Sequence, residues 1–310
     1  MRVPGKALSV ALGASTLFLS GALQAETRIV TSIKPVELIV RAVATEDMQT
    51  TTLVPPGSSP HNYNMKPSQR RALENADVIF WVGPEMETFL SRLLAGQDFS
   101  NRTVALMETE QEANSDSHTD HGESHDEEHG HGHDHGNGED PHIWLDPVLA
   151  VEMAETIHGI LSKLESVDDE ALDRNLEQFK ARVRETESAI RDRLLPVHDI
   201  SLFSYHSAFS RFASHYDLKL EGVLTLNPEL SPGARHIAEV QDKLRKGHHP
   251  CLLTEPQFNQ QWWKTITQDL DVTFSTWDPL ATDIEATANG YSNFQHSIAD
   301  AILKCLPQNA

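Results

Sequence analysis

Three histidines stand where a chain of this pattern gathers chemistry. His61 closes the loop Pro55-Pro56-Gly57-Ser58-Ser59-Pro60, directly after a strand-like run. His206 ends the apolar run Leu202-Phe203-Ser204-Tyr205. His142 lies in Pro141-His142-Ile143-Trp144-Leu145-Asp146-Pro147, where Asp146 and Pro147 form a helix start. Neutral imidazole is a borderline ligand that suits Zn, Cu, Ni and Co, and three imidazoles with one carboxylate or water complete a tetrahedral zinc site. Asp278, in Thr276-Trp277-Asp278-Pro279-Leu280, also follows a strand-like run and is the candidate carboxylate. A zinc hydrolase could use three histidines too, but the chain has no His-Glu-x-x-His run and no nucleophile elbow. The pattern points to binding of a cation, not to covalent chemistry.

A second histidine-rich feature is compositional. From Glu112 to Asp140 the chain has hardly an apolar residue, ten acidic side chains, and the seven histidines His118, His121, His125, His129, His131, His133 and His135. Such a segment cannot bury enough apolar surface to offset its ordering entropy and is expected to be disordered. Its irregular spacing specifies no rigid cage, so it is expected to form weak, multiple, exchangeable metal sites. The remaining histidines, His158, His198, His215, His236 and His296, sit in helical or polar contexts that favour structural roles, and His248-His249 reads as an exposed turn.

The elements that would position these groups alternate between short β-like runs and helical stretches, the signature of α/β layers around parallel sheets. Strands are expected at Arg28–Ile33, Thr50–Val54, Asp77–Val82 and Thr103–Leu106, then at Ile200–Tyr205, Lys219–Leu224, Cys251–Thr254 and Val272–Thr276. Helices are expected at Pro35–Ala44 and Ser68–Asn75. Between the two sets of strands, Asp168–Leu195 has no Gly or Pro and places Leu172, Leu176, Phe179, Val183, Ile190 and Leu194 on one helical face. This predicts a helix roughly 42 Å long, at about 1.5 Å per residue, joining two four-strand lobes as a strut. In such open sheets ligands bind beyond the carboxyl ends of strands, where His61, His206 and Asp278 fall.

Length and charge agree with this division. The 310 residues suggest two domains. The net charge of −21, from 25 basic and 46 acidic residues, repels phosphate backbones and anionic lipid and suits a cationic partner. Arg2 and Lys6 precede an apolar run from Ala7 to Leu23, with small residues at Ala22 and Ala25, the layout of a secretory signal peptide cleaved near Ala25. The two cysteines, Cys251 and Cys305, lie far from that point, so no lipid-accepting cysteine is expected. In an oxidising compartment they are expected to pair, and a bridge closing a loop of roughly 55 residues would stabilise the fold by about 4 kcal/mol. The expected organisation is a signal peptide over 1–25, a first lobe over 26–167 carrying the loop 112–140, a linking helix over 168–196 and a second lobe over 197–310.

The motifs, in this order, resemble the ZnuA-type periplasmic binding proteins of zinc-uptake ABC transporters, within the wider zinc and manganese solute-binding family. The likeness rests on Ser32-Ile33-Lys34-Pro35, Gly57…His61-Asn62-Tyr63, Trp81-Val82-Gly83-Pro84-Glu85-Met86-Glu87, the His142 motif and Phe203-Ser204-Tyr205-His206-Ser207-Ala208-Phe209. It continues through Asn227-Pro228-Glu229, Ser231-Pro232-Gly233-Ala234, Thr254-Glu255-Pro256-Gln257-Phe258 and Trp277-Asp278-Pro279-Leu280. The resemblance implies two (β/α)4 lobes joined by a rigid helix, with Zn²⁺ held in the cleft by His61, His142 and His206. It also implies delivery, as a monomer in the periplasm, to an inner-membrane ABC permease with its cytoplasmic ATPase. Manganese relatives typically place a glutamate where His206 stands, so imidazole there moves preference from the harder Mn²⁺ towards Zn²⁺; a binding protein for another divalent metal, Mn, Cu or Ni, is the alternative that the same fold allows. Some zinc members carry Glu before the first ligand histidine, where this chain has Pro60. The fourth ligand is therefore open between Asp278, a water and a loop histidine.

Overall fold

In a computed structural model, which describes residues 26–107, 140–165, 167–225, 228, 232–258 and 261–307, the predicted strands pair into two four-stranded parallel sheets. The first contains β1 (Arg28–Thr31), β2 (Gln49–Thr52), β3 (Val78–Trp81) and β4 (Thr103–Ala105), in the order β2-β1-β3-β4. The second contains β5 (Leu202–His206), β6 (Leu220–Thr225), β7 (Cys251–Thr254) and β8 (Thr273–Thr276), in the order β6-β5-β7-β8. Each sheet therefore reverses strand order beside its first strand, β1 or β5, which creates a crevice at the carboxyl ends.

The period-2 alternation of side chains sorts each sheet's two faces. Ile29, Val78 and Phe80 in the first lobe, and Leu202, Cys251 and Leu253 in the second, enter one apolar cluster that runs through both lobes. The opposite faces, with Val30, Ile79 and Trp81 or with Phe203, Tyr205 and Leu252, pack into a separate outer layer for each lobe. The lobes thus share one continuous core and do not meet as two independent surfaces.

Helices α1 (Lys34–Val43), α2 (Pro67–Glu74) and α3 (Thr88–Leu94) cover the first sheet, and α4 (Pro147–Leu161) follows the His142 motif. The long helix α5 (Asp169–Leu194) begins where Asp168 caps Ala171 N–H and buries Leu172, Leu176, Phe179, Val183, Ile190 and Leu194, the stripe its sequence periodicity predicts. The second lobe adds α6 (Phe209–His215), α7 (Ala234–Lys246), α8 (Gln261–Ile266) and α9 (Gly290–Leu303). Helix α5 packs on α1, α4 and α9.

The last helix does not confine itself to the second lobe. Gly290, the first residue of α9, lies so close to α1 that a Cβ there would come within 2.9 Å of Leu38 Cδ2 and 2.7 Å of the Glu285 carbonyl. Tyr291 O–H donates to the Trp144 carbonyl (3.0 Å), and Trp144 Nε1–H donates to the Pro279 carbonyl (2.8 Å). At its far end α9 is tied to β7 by the Cys251–Cys305 disulfide, with Cα atoms 5.7 Å apart and both residues buried. One helix therefore connects α1, the His142 segment and the second sheet.

The histidine-rich segment falls largely among residues 108–139, outside the described residues. Asp140, expected to belong to it, is instead ordered against His142, because its carboxylate and carbonyl both have partners there.

The bridge spans 54 residues, so replacing Cys251 and Cys305 together by Ala is expected to lower unfolding free energy by about 2–5 kcal/mol, read as an earlier urea midpoint. Zinc stoichiometry of the folded variant should be unchanged.

Candidate metal centre

His61 reaches the interlobe crevice from a turn that only the first lobe's loop supplies. Beyond β2, Gly57 takes φ +77°, a conformation open to glycine, and the chain folds back so that His61 N–H meets Ser59 Oγ at 3.3 Å. His142 precedes a short 3₁₀ turn, Ile143–Leu145, and Asp146 then caps α4 through Val148 N–H at 2.8 Å. His206 is the last residue of β5 and pairs across the ladder with Thr225. Sequence separations of 81 and 64 residues thus collapse into one group.

The three rings face one another. Their centroids are 5.4 Å apart for His61 and His142, 5.9 Å for His61 and His206, and 5.0 Å for His142 and His206. One ring nitrogen from each lies within 4.8 Å of the others, the only such group of histidine, cysteine or carboxylate side chains among the described residues. The Nε2 atoms of His142 and His206 are 3.3 Å apart. A tetrahedral zinc with bonds of about 2.0–2.1 Å requires ligand atoms separated by about 3.3–3.4 Å, so this pair already has the edge length of a zinc tetrahedron.

Carboxylates set the direction of two of the rings. His142 Nδ1 meets Asp140 Oδ1 at 2.6 Å, and His206 Nδ1 meets Glu255 Oε1 at 2.7 Å. A carboxylate accepts only, so each neutral imidazole carries its proton on Nδ1 and turns the Nε2 lone pair into the crevice. Glu255 is 1% exposed and comes from the residue after β7, while Asp140 comes from the segment before the His142 motif. Two negative charges one ring behind the imidazoles can balance a divalent ion without touching it. Trp144, Phe258, Pro279 and Leu280 complete the wall with mainly apolar surface.

Burial, followed by the neighbouring His142 and His206, pushes the His61 imidazole down to about 3 from 6.5. Burial also lowers His142, with Asp140 opposing it. Burial alone would raise the Asp140 carboxyl, but the hydrogen bond and charge of His142, aided by Arg211, hold it below the usual carboxylate range. His61 and His142 are therefore neutral lone-pair donors at neutral pH.

The structure does not bring Asp278 into this group. Its Oδ1 accepts from Leu280 N–H (3.0 Å) and from Gln257 Nε2 (2.6 Å), and its Oδ2 accepts from Thr282 N–H (2.7 Å). The carboxylate organises the turn after β8, where Ala281 has φ +51°, and is spent there. Of the loop histidines, His118, His121, His125, His129, His131, His133 and His135 all lie outside the described residues. Residue types alone did not single out Asp140 and Glu255 as orienting groups. The signal available was position: Glu255 directly follows a buried strand beside the one that ends in His206, and Asp140 stands two residues before His142.

The family model described as ZnuA, zinc-uptake complex component A, periplasmic, matches residues 29–305. The high-affinity zinc uptake system protein ZnuA of Yersinia pestis is 34% identical over 313 residues, covering 97% of this chain and 98% of its own. Among solved structures, a crystal structure of ZnuA superposes with a TM-score of 0.69 at 22% identity, over 89% of this chain and 99% of that one. The solute-binding protein FpvC of Pseudomonas aeruginosa, in complex with Mn²⁺, superposes with a TM-score of 0.72 at 17% identity, over 92% and 100%. At these identities the superpositions establish a common fold.

Metal-free stability should carry the mark of the buried imidazole. Between pH 6.5 and about 3 the unfolded chain protonates His61 while the folded chain does not, so stability falls as pH drops through that window. Replacing His61 by Gln should make the urea midpoint decline less steeply across the same range.

Proposed function

The chain belongs to the ZnuA family of periplasmic zinc-uptake components, and on that basis we propose that it captures Zn²⁺ and delivers it to an inner-membrane ABC permease served by a cytoplasmic ATPase. The observation that carries this reading is the convergence of His61, His142 and His206, with two Nε2 atoms 3.3 Å apart. The chain acts as a monomer in the periplasm, after cleavage near Ala25, and without a lipid anchor, since both of its cysteines are joined to each other. Among the described residues no helix is long and apolar enough to cross a membrane.

A hydrated zinc ion drawn by the chain's excess of acidic over basic residues exchanges its waters for the three nitrogens. Imidazole donors with no carboxylate in direct contact favour Zn²⁺ over the harder Mn²⁺. A water completes the tetrahedron, while Asp278 holds Gln257 and the 278–282 turn that wall the site. The histidine-rich segment, which lies outside the described residues, buffers metal weakly ahead of the three histidines. Because the lobes share one core, release follows from the permease prising local loops apart, not from a wide hinge rotation. No covalent step is involved.

Isothermal titration of the purified, metal-stripped protein tests this. Replacing His61, His142 or His206 by Ala should weaken zinc binding at least about a thousandfold, ~4 kcal/mol. Asp278→Ala should weaken it far less. Tight zinc binding, as distinct from weak uptake by the segment 112–140, that survives all three histidine substitutions would overturn the assignment, and preferential retention of Mn²⁺ would overturn the choice of metal.

A further inference from the structure

The strand that ends in His206 runs on, after a two-residue turn, into α6, and that helix holds the other lobe's contribution to the site at two points. Arg211 and His215 lie four residues apart and share one helical face. Arg211 Nε donates to the Asp140 carbonyl at 2.8 Å, and its Nη2 donates to the same oxygen. Its guanidinium also stands 3.9 Å from Asp140 Oδ2. One turn later, His215 Nδ1 lies 3.3 Å from Asp146 Oδ1, the carboxylate that caps α4. His215 Nε2 lies 3.2 Å from Glu187 on α5, where Arg191 joins Glu187, Asp217 and the His215 carbonyl. The two grips fall on either side of His142.

We propose that Arg211 is a positioning residue of the metal centre: it locks Asp140, and through Asp140 the ring of His142, to the same strand–helix unit that carries His206. Two of the three imidazoles come from different lobes, and their Nε2 atoms must stay about 3.3–3.4 Å apart for a tetrahedral ion. Asp140 sets the ring of His142 only if Asp140 itself is fixed. Arg211 supplies the fixed point from α6, so a displacement of that helix would carry His206 and Asp140 together. His215 on Asp146 steadies the downstream end of the same segment.

This inference rests on the three-histidine reading, and the test separates the two. Zinc affinity and the visible d–d spectrum of the Co²⁺-substituted protein are measured for the wild type, His142→Ala, Arg211→Gln, Asp140→Ala and the double variant Arg211→Gln/Asp140→Ala. If wild type binds no zinc, or His142→Ala binds as well as wild type, the ligand assignment itself fails. If wild type binds and His142→Ala does not, the clasp is on trial. Arg211→Gln is then expected to lose about 10–100-fold in zinc affinity and to change the intensity and position of the cobalt bands. Arg211→Lys should restore part of both. In the Asp140→Ala background the Arg211 substitution should cost almost nothing further, because its effect runs through Asp140. Wild-type affinity with an unchanged cobalt spectrum in Arg211→Gln would overturn the proposal. So would losses that simply add in the double variant, which would mark a general structural effect.

Discussion

The candidate site depends on aiming three imidazoles at one point. Proton and metal compete for the same lone pair, so a ring that protonates at neutral pH is a poor ligand. Burial settles that competition for His61, pushed down to about 3, and lowers His142 as well. Burial by itself leaves orientation undecided, since a neutral imidazole has two tautomers. Asp140 and Glu255 decide it for two rings by accepting Nδ1–H, which leaves both Nε2 lone pairs pointing into the crevice.

This arrangement constrains the scaffold around it. A carboxylate in direct contact would favour a harder cation, whereas carboxylates placed behind the rings supply balancing charge and leave the protein's own candidate donors as nitrogens. To hold donors from two lobes at that spacing, the lobes have to share a core. They do so through the apolar cluster that continues from the β1 and β3 side chains to those of β5 and β7, through Trp144 between Tyr291 and Pro279, and through α9, stitched to α1 at Gly290 and to β7 at Cys305. A scaffold of this kind leaves the two sheets packed on one apolar cluster.

Asp278 illustrates where residue type misleads. A carboxylate just past a strand at the carboxyl edge of a sheet is well placed for a metal, but it is equally well placed to cap the turn that follows. Here three N–H donors reach it first, two from the backbone at Leu280 and Thr282 and one from Gln257. Asp140 is the converse case. Read as the end of an acidic, histidine-rich stretch, it has no reason to be ordered, yet its carboxylate meets His142 and its carbonyl accepts from Arg211, on a helix 71 residues later.

Strand count, parallel pairing, the stripe of α5 and the cysteine bridge were legible in the linear chain, because each follows from local periodicity, export and composition. His61, His142 and His206 each stand in a local pattern at a strand end or helix start that singles them out in the sequence, and the fold brings their rings together. What the tertiary structure alone decided is which groups face them. Glu255 behind His206, Asp140 behind His142, Arg211 behind Asp140 and the turn that occupies Asp278 are all contacts between side chains and the folded backbone around them. No pattern of spacing encodes them, because the distances that matter lie across the crevice and come into being only when the two sheets pack on one core.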